Sequence, residues 1–282
     1  MANYKHSLIN TENGVLVLPR IDSSDELAFG APVPDIRAES ATQLFPIGTA
    51  LLTDNGVFRY AKNGAAAVTI GKLLQNAAVL HADFDNDLAM AAASVGDLTV
   101  TITNTASAAI TKDYFKDGWL NINDCGAGTG EGGLYKVKSH PAAAKSASCV
   151  LTLVDPIEVA LTTASQCGLI KNLYDMVIVS PATTQTGIPV GVPWVSSFTA
   201  AYFGWIKTKG LASVLTNGTI IIGRAVAPGL TVAGSVDTYP ITLSAATPDT
   251  YVPGDTHVVG IALQIAADTE YSLVKLDLDP TW

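Results

Sequence analysis

The chain has 282 residues, a formal charge of −9 and 48% hydrophobic residues, but only 15% charged ones, against roughly 25% in an ordinary soluble protein. The length is ample for a core and fits one large or two ordinary domains. Sixteen Lys and Arg against 25 Asp and Glu, with no basic run, argue against a nucleic-acid groove, and no apolar run reaches the ~18 residues of a membrane helix.

The start, MANYKHSLINTENG, holds no apolar segment of signal-peptide length. The expectation is a soluble protein made in the cytosol. Gly14-Val15-Leu16-Val17-Leu18 then reads as a short strand entered by Asn13-Gly14. Ser23-Ser24-Asp25-Glu26 and Gly30-Ala31-Pro32-Val33-Pro34 follow, and prolines this close cannot sit inside a central strand or helix. Residues 1–45 are therefore read as an extended N-terminal arm. Leu8, Ile9, Phe29, Val33 and Ile36 make it too apolar to be freely solvated.

From residue 46 the pattern turns to β. Thr49–Leu52 and Val57–Tyr60 flank Asp54-Asn55-Gly56, a hairpin signal. The run AAAVTIGKL from Ala65 is broken by Val68, Thr69 and Gly71, which favours a strand over the helix its alanines suggest. Residues 77–93 carry Asp83, Asp85 and Asp87 across any apolar face and read as a loop with a short helix. A different texture begins near residue 94. Leu98–Ile102, Phe115–Ile122, Leu134–Lys138 and Val150–Val154 are short strands, three of them strictly alternating, as in a small antiparallel barrel or sandwich.

The first texture returns after residue 178. Pro181, Pro189 and Pro193 mark a long connection to FTAAYFGWIKTKGLASVLTNGTIIIG, residues 198–223. Here Phe203 and Trp205 share one face with Lys207, and Asn217-Gly218 predicts a hairpin to a β-branched run, Thr219–Ile222. The stretch echoes residues 58–68: Phe58, Tyr60 and Lys62 match Phe203, Trp205 and Lys207, with one inserted residue before the glycine. The two copies are read as strands of one domain. Val258–Leu263 and Tyr271–Leu278 close the chain as strands about a turn at Asp268-Thr269-Glu270.

The fold class expected is thus all-β, with two barrel or sandwich domains, one inserted in the other, and an extended N-terminal arm. The framework domain comprises 46–93 and 179–282, and the inserted domain 94–178.

Chemistry-bearing motifs are sparse. Gly128-Thr129-Gly130-Glu131-Gly132-Gly133 fits GxGxxG, but a strand follows where a dinucleotide site needs a helix, so a turn is expected. Asp83, Asp85 and Asp87 alternate like a calcium loop, yet Leu88 and Ser94 stand where an EF-hand needs Gly and Glu. His6, His81, His140 and His257 are scattered, and no GxSxG elbow accompanies the Asp255–His257 pair. Cys125, Cys149 and Cys167 form no CxxC. They are expected reduced and buried. The expectation is no enzyme, no cofactor and no metal. The aromatics Phe58, Tyr60, Phe203 and Trp205 suit a barrel core, a subunit interface or a sugar-stacking platform.

Several blocks resemble virion structural proteins of tailed bacteriophages. They are Leu134–Ala143 with Leu151–Pro156 and Val159–Leu161, Phe58–Tyr60 with Gly71–Leu73, Trp205–Gly210 with Ala212 and Val214, and Val259–Leu263 with Ala267–Tyr271. Together they span most of residues 50–278. The resemblance is closest to a capsid decoration (cement) protein and implies a β-rich subunit, often a homotrimer, that clamps the major capsid protein lattice in the virion. It assigns the arm, with Leu8, Ile9, Phe29, Val33 and Ile36, to capsid or subunit contact. Phe58, Tyr60, Lys62, Phe203, Trp205 and Lys207 become framework strands or interface. The alternative is a tail or fibre component that binds a cell-surface glycan.

Overall fold

The structure, a computed structural model, describes residues 7–11, 13–18, 34–86, 88–105, 107–126, 130–183, 185–239, 241–243, 251–253 and 257–279. It is an all-β protein; among the described residues the one helical element is a single 3₁₀ turn, Ala82–Phe84. The chain divides into two compact units, Met1–Ala77 with Tyr174–Trp282, and Ala78–Leu173.

The first unit is organised on Phe203–Leu215, a strand of 13 residues. One flank pairs antiparallel with Gly56–Lys62. The other flank meets Glu39–Ser40, Pro189–Pro193 and Tyr271–Asp277 in turn. Outward on the first side the sheet continues through Ala50–Thr53 and Gly14–Leu18 to Ser7–Thr11. Outward on the other it continues through Gly260–Ala262 and Ala225–Pro228 to Val236–Thr238. A two-residue turn at Asp54-Asn55 closes one hairpin, with Thr53 opposite Gly56, and in the hairpin before it Thr11 stands opposite Gly14. Leu16 is fully buried among Phe45, Phe58, Tyr60 and Trp205. A second cluster, including Val214, Val226, Val274 and Leu276, lies on the inner side of the other half.

The sequence echo is a register. In the antiparallel pair Phe58 faces Lys207, Tyr60 faces Trp205 and Lys62 faces Phe203. The residue inserted in the second copy sits at Thr208, where the pairing slips between Lys207 and Lys209 as a β-bulge. Past the bulge, Gly210 pairs with Gly56.

Asn217-Gly218 does not make the expected hairpin. Only Gly218 of the two has positive φ, whereas a type I′ turn needs it at both central residues. The Asn217 amide instead donates to Asp237 at 3.0 Å, and its oxygen accepts from Thr231. Phe203–Leu215 takes Tyr271–Asp277 as its neighbour, and only Ile220 of the expected second strand makes a bridge, to Ala266. The expected strand after Gly64 shrinks to Val68–Thr69, which pairs with Ser197–Phe198, and Gly71 follows with φ 79, outside extended backbone.

The second unit is a small antiparallel barrel. Its strands run in space Leu88–Ala89, Gln166–Ile170, Trp119–Asp124, Leu134–Ser139, Ser148–Leu153, Thr99–Thr103. Closure follows from a bridge between Met90 and Ile102, with the Ala91 N–H donating to the Thr101 carbonyl at 2.8 Å. Val100, Ile102, Leu120, Ile122, Tyr135, Val137, Cys149 and Leu151 alternate inward into one core. Leu88–Ala89, assigned by the sequence to the framework half, is a barrel strand.

Candidate functional site

The paired strands at the centre of the first unit build a ladder of aromatic rings and ammonium groups. Tyr60 and Trp205 meet edge to face with centroids 5.1 Å apart. On either side, Lys207 Nζ lies 5.3 Å from the Phe58 ring and Lys62 Nζ 5.4 Å from the Phe203 ring. The two cation–π contacts are related by the local symmetry of the echo. Tyr60 and Trp205 are each 2% exposed and Phe58 fully buried, so these three rings form core and offer no sugar a stacking face; Phe203 is half-buried against them.

Lys207 is itself 1% exposed. Its ammonium donates to the Leu211 carbonyl at 2.7 Å and lies 4.4 Å from the centroid of Trp194. Burial pulls its pKa down to about 8, against a smaller upward pull from Asp54. The Arg37 guanidinium also stacks on Trp194, 5.3 Å from the centroid.

The arm residues divide. Ile9 and Ile36 are half-buried against the chain's own aromatic cluster. Leu8 belongs by its backbone to the edge strand Ser7–Thr11. Phe29 and Val33 lie outside the described residues.

The other reactive groups are tied up internally. Cys149 Sγ is 3.9 Å from His140 Nδ1, a spacing that invites comparison with a thiol–imidazole pair. Yet His140 Nε2 accepts the Phe115 N–H at 2.9 Å, which leaves Nδ1–H to donate to the Pro141 carbonyl at 2.7 Å. With both ring nitrogens occupied the imidazole has no free lone pair for a base. Burial also pushes the Cys149 thiol up, and Cys167 up to about 12. Asp83 accepts from Thr105 and lies 3.1 Å from His81 Nδ1. The Thr105 hydrogen bond, ahead of the charge of His81, holds its carboxyl below the usual value. No group of three metal-ligating side chains occurs among the described residues. Within the glycine-rich stretch, Gly130 and Gly132 have positive φ and Glu131 accepts the Cys125 N–H at 3.2 Å, a turn closed on itself; Gly128 and Thr129, like Asp87 and Asp255, lie outside the described residues.

One outward-facing surface of the first unit is largely apolar. Across the sheet of the first unit Leu211 stands opposite Lys275, and Lys275 opposite Ile261. Ala212, Val274 and Ala262, their neighbours in sequence, point the other way into the core. Tyr271 continues the outer row along its strand and Leu263 extends it beyond Ile261. The segment carrying Ile221 and Ile222 runs alongside, held by Gly223 N–H to Ala262 O and Ile220 N–H to Ala266 O, at 2.8 and 2.9 Å. These side chains, with Ile265, are 40 to 66% exposed. The sequence reading did not assemble this face. Its signal was present in Tyr271-Ser272-Leu273-Val274-Lys275-Leu276, where both alternating phases carry large apolar residues, as in strands covered on both sides.

No protein-family model, curated protein or solved structure matches this chain.

Proposed function

We propose that this chain is a structural virion subunit that decorates and stabilises the outer surface of a phage capsid by binding the major capsid protein lattice. The observation that carries the reading is the outer sheet face around Leu211, Ile261 and Tyr271. Among the described residues it is apolar and exposed, whereas the cysteines and the Cys149–His140 pair are enclosed in packed cores. A subunit of an assembly needs such a face, and an isolated protein of this size rarely presents one so large. The mechanism is mass action: a protein that binds the assembled lattice and not its separated subunits lowers the free energy of the assembled state by RT ln(1 + [L]/Kd) at each site. Capsids of the parent phage, stripped of this protein and challenged by heat, should survive to higher temperature when it is added back. No change in their disruption temperature at saturating protein would remove the cementing role.

A second reading, a tail or fibre component that binds a glycan, has one observation in its favour. Trp119 on the outside of the barrel is 40% exposed, between Ile170 and Lys136 on the flanking strands, and an open indole face suits stacking on a sugar ring. Glycan binding abolished by Trp119→Ala would support it over the first.

A further inference from the structure

We propose that the outer face of Phe203–Leu215, Gly260–Ala262 and Tyr271–Asp277 is where a second copy of this chain docks. The inference rests on the reading of the protein as an assembling subunit and names the surface that does it.

Three features select a second copy as the occupant. The first is area. The exposed parts of Leu211, Ile221, Ile222, Ile261, Leu263, Ile265 and Tyr271 come to on the order of 700 Å², against ~800 Å² that each partner buries in a standard interface. The patch therefore matches one protein footprint and exceeds a small-molecule site.

The second is shape. Leu211, Lys275 and Ile261 are successive cross-strand neighbours on one antiparallel sheet, so their side chains stand on one pleated surface. Such a surface packs on another like it at a spacing of ~10 Å.

The third is charge. Lys275 sits in the middle of the face, exposed and with no ion pair among the described residues, while the exposed Asp268 and Glu270 lie at its Tyr271 end. A second copy laid antiparallel on the first sets each Lys275 against the other copy's Tyr271 and Glu270. That arrangement gives the ammonium a ring and a carboxylate, and the face is then complementary to itself. Lys209 and Asp277, 3.4 Å apart, already neutralise each other at the far end.

The test is the solution mass of the full chain, by light scattering after gel filtration, for wild type and for Leu211→Glu, Ile261→Glu and Lys275→Glu. Leu134→Glu, on the exposed outside of the barrel, is the control. The expected result is wild type and control at the same multiple of 29.2 kDa, with all three face variants falling to 29.2 kDa while their circular dichroism matches wild type. Lys275→Glu removes no apolar packing, so it decides the matter if either apolar replacement impairs folding. A wild-type monomer overturns the inference and leaves the capsid reading to its own test. An oligomer that survives the face variants also overturns it, because the copies then meet elsewhere.

Discussion

Tyr60 and Trp205 are direct cross-strand partners, 145 positions apart in the chain, with ring centroids 5.1 Å apart. Each lies at the centre of a Phe-x-aromatic-x-Lys segment, and the antiparallel pairing sets each segment's Phe against the other's Lys. Trp205 also packs at 5.4 Å from Phe45. Trp205→Ala should therefore cost the first unit ~3–5 kcal/mol, the range for a deleted buried aromatic. Tyr60→Phe removes only the hydroxyl that accepts the Leu44 N–H at 3.1 Å, for ~1 kcal/mol. Urea unfolding followed by tryptophan fluorescence checks both, and equal losses for the two variants would contradict the ladder.

Lys207 gives the first unit a pH signature. Its folded pKa, about 8, lies below its usual 10.5. Between those values the folded state has lost a proton that the unfolded state still binds, so stability rises with pH across that window. The penalty of the buried charge is present below pH 8 and fades as pH rises. Lys207→Met keeps the volume and removes the charge. Its advantage over wild type in melting temperature should be largest near neutrality and shrink by pH 10. A constant difference across that range would contradict the account.

The second unit should respond in the opposite direction. Cys167 has a folded pKa pushed up to about 12 by burial, against an ordinary 9.0. The neutral thiol thus contributes stability that is complete below pH 9 and lost as pH rises towards 12. All three cysteines are free and buried. A thiol reagent at neutral pH should label almost none in the native protein and all three in denaturant. Fast labelling of Cys149 in the native state would contradict the occupied His140.

Gly56 and Gly210 face each other across the bulge with φ of 126° and 103°. A Cβ on Gly56 would fall 2.1 Å from the Lys209 carbonyl oxygen, and one on Gly210 2.5 Å from that of Asn55. Alanine at either position combines a left-handed backbone with a backbone collision. Each replacement should cost at least ~1–3 kcal/mol, whereas alanine at Gly132, with open space around its Cβ, should cost less. Thermal melts of the three variants rank them.

Four of the barrel strands were legible because each is buried on one face only. Thr99–Thr103 and Trp119–Asp124 alternate in burial just as they alternate in sequence. Gln166–Ile170 escaped notice because Cys167, Gly168 and Leu169 are all buried, the glycine beneath the Asp85 backbone, so no alternation shows. Asn217-Gly218 misled for a related reason. A strong local turn signal lost to the long-range pairing of Phe203–Leu215 with Tyr271–Asp277 and to the side-chain bonds of Asn217. The outer face was the least legible feature. It is assembled from strands near residues 211, 261 and 275, and only the register between them brings Leu211, Ile261 and Lys275 into one row.

The measurement that bears most directly on the proposed role is copy number on the particle. Purified protein is added to stripped capsids of the parent phage, the particles are sedimented, and bound protein is quantified against the major capsid protein. The account predicts saturable binding at hundreds of copies per particle, in fixed ratio to the lattice. A few copies per particle, or none, would contradict it.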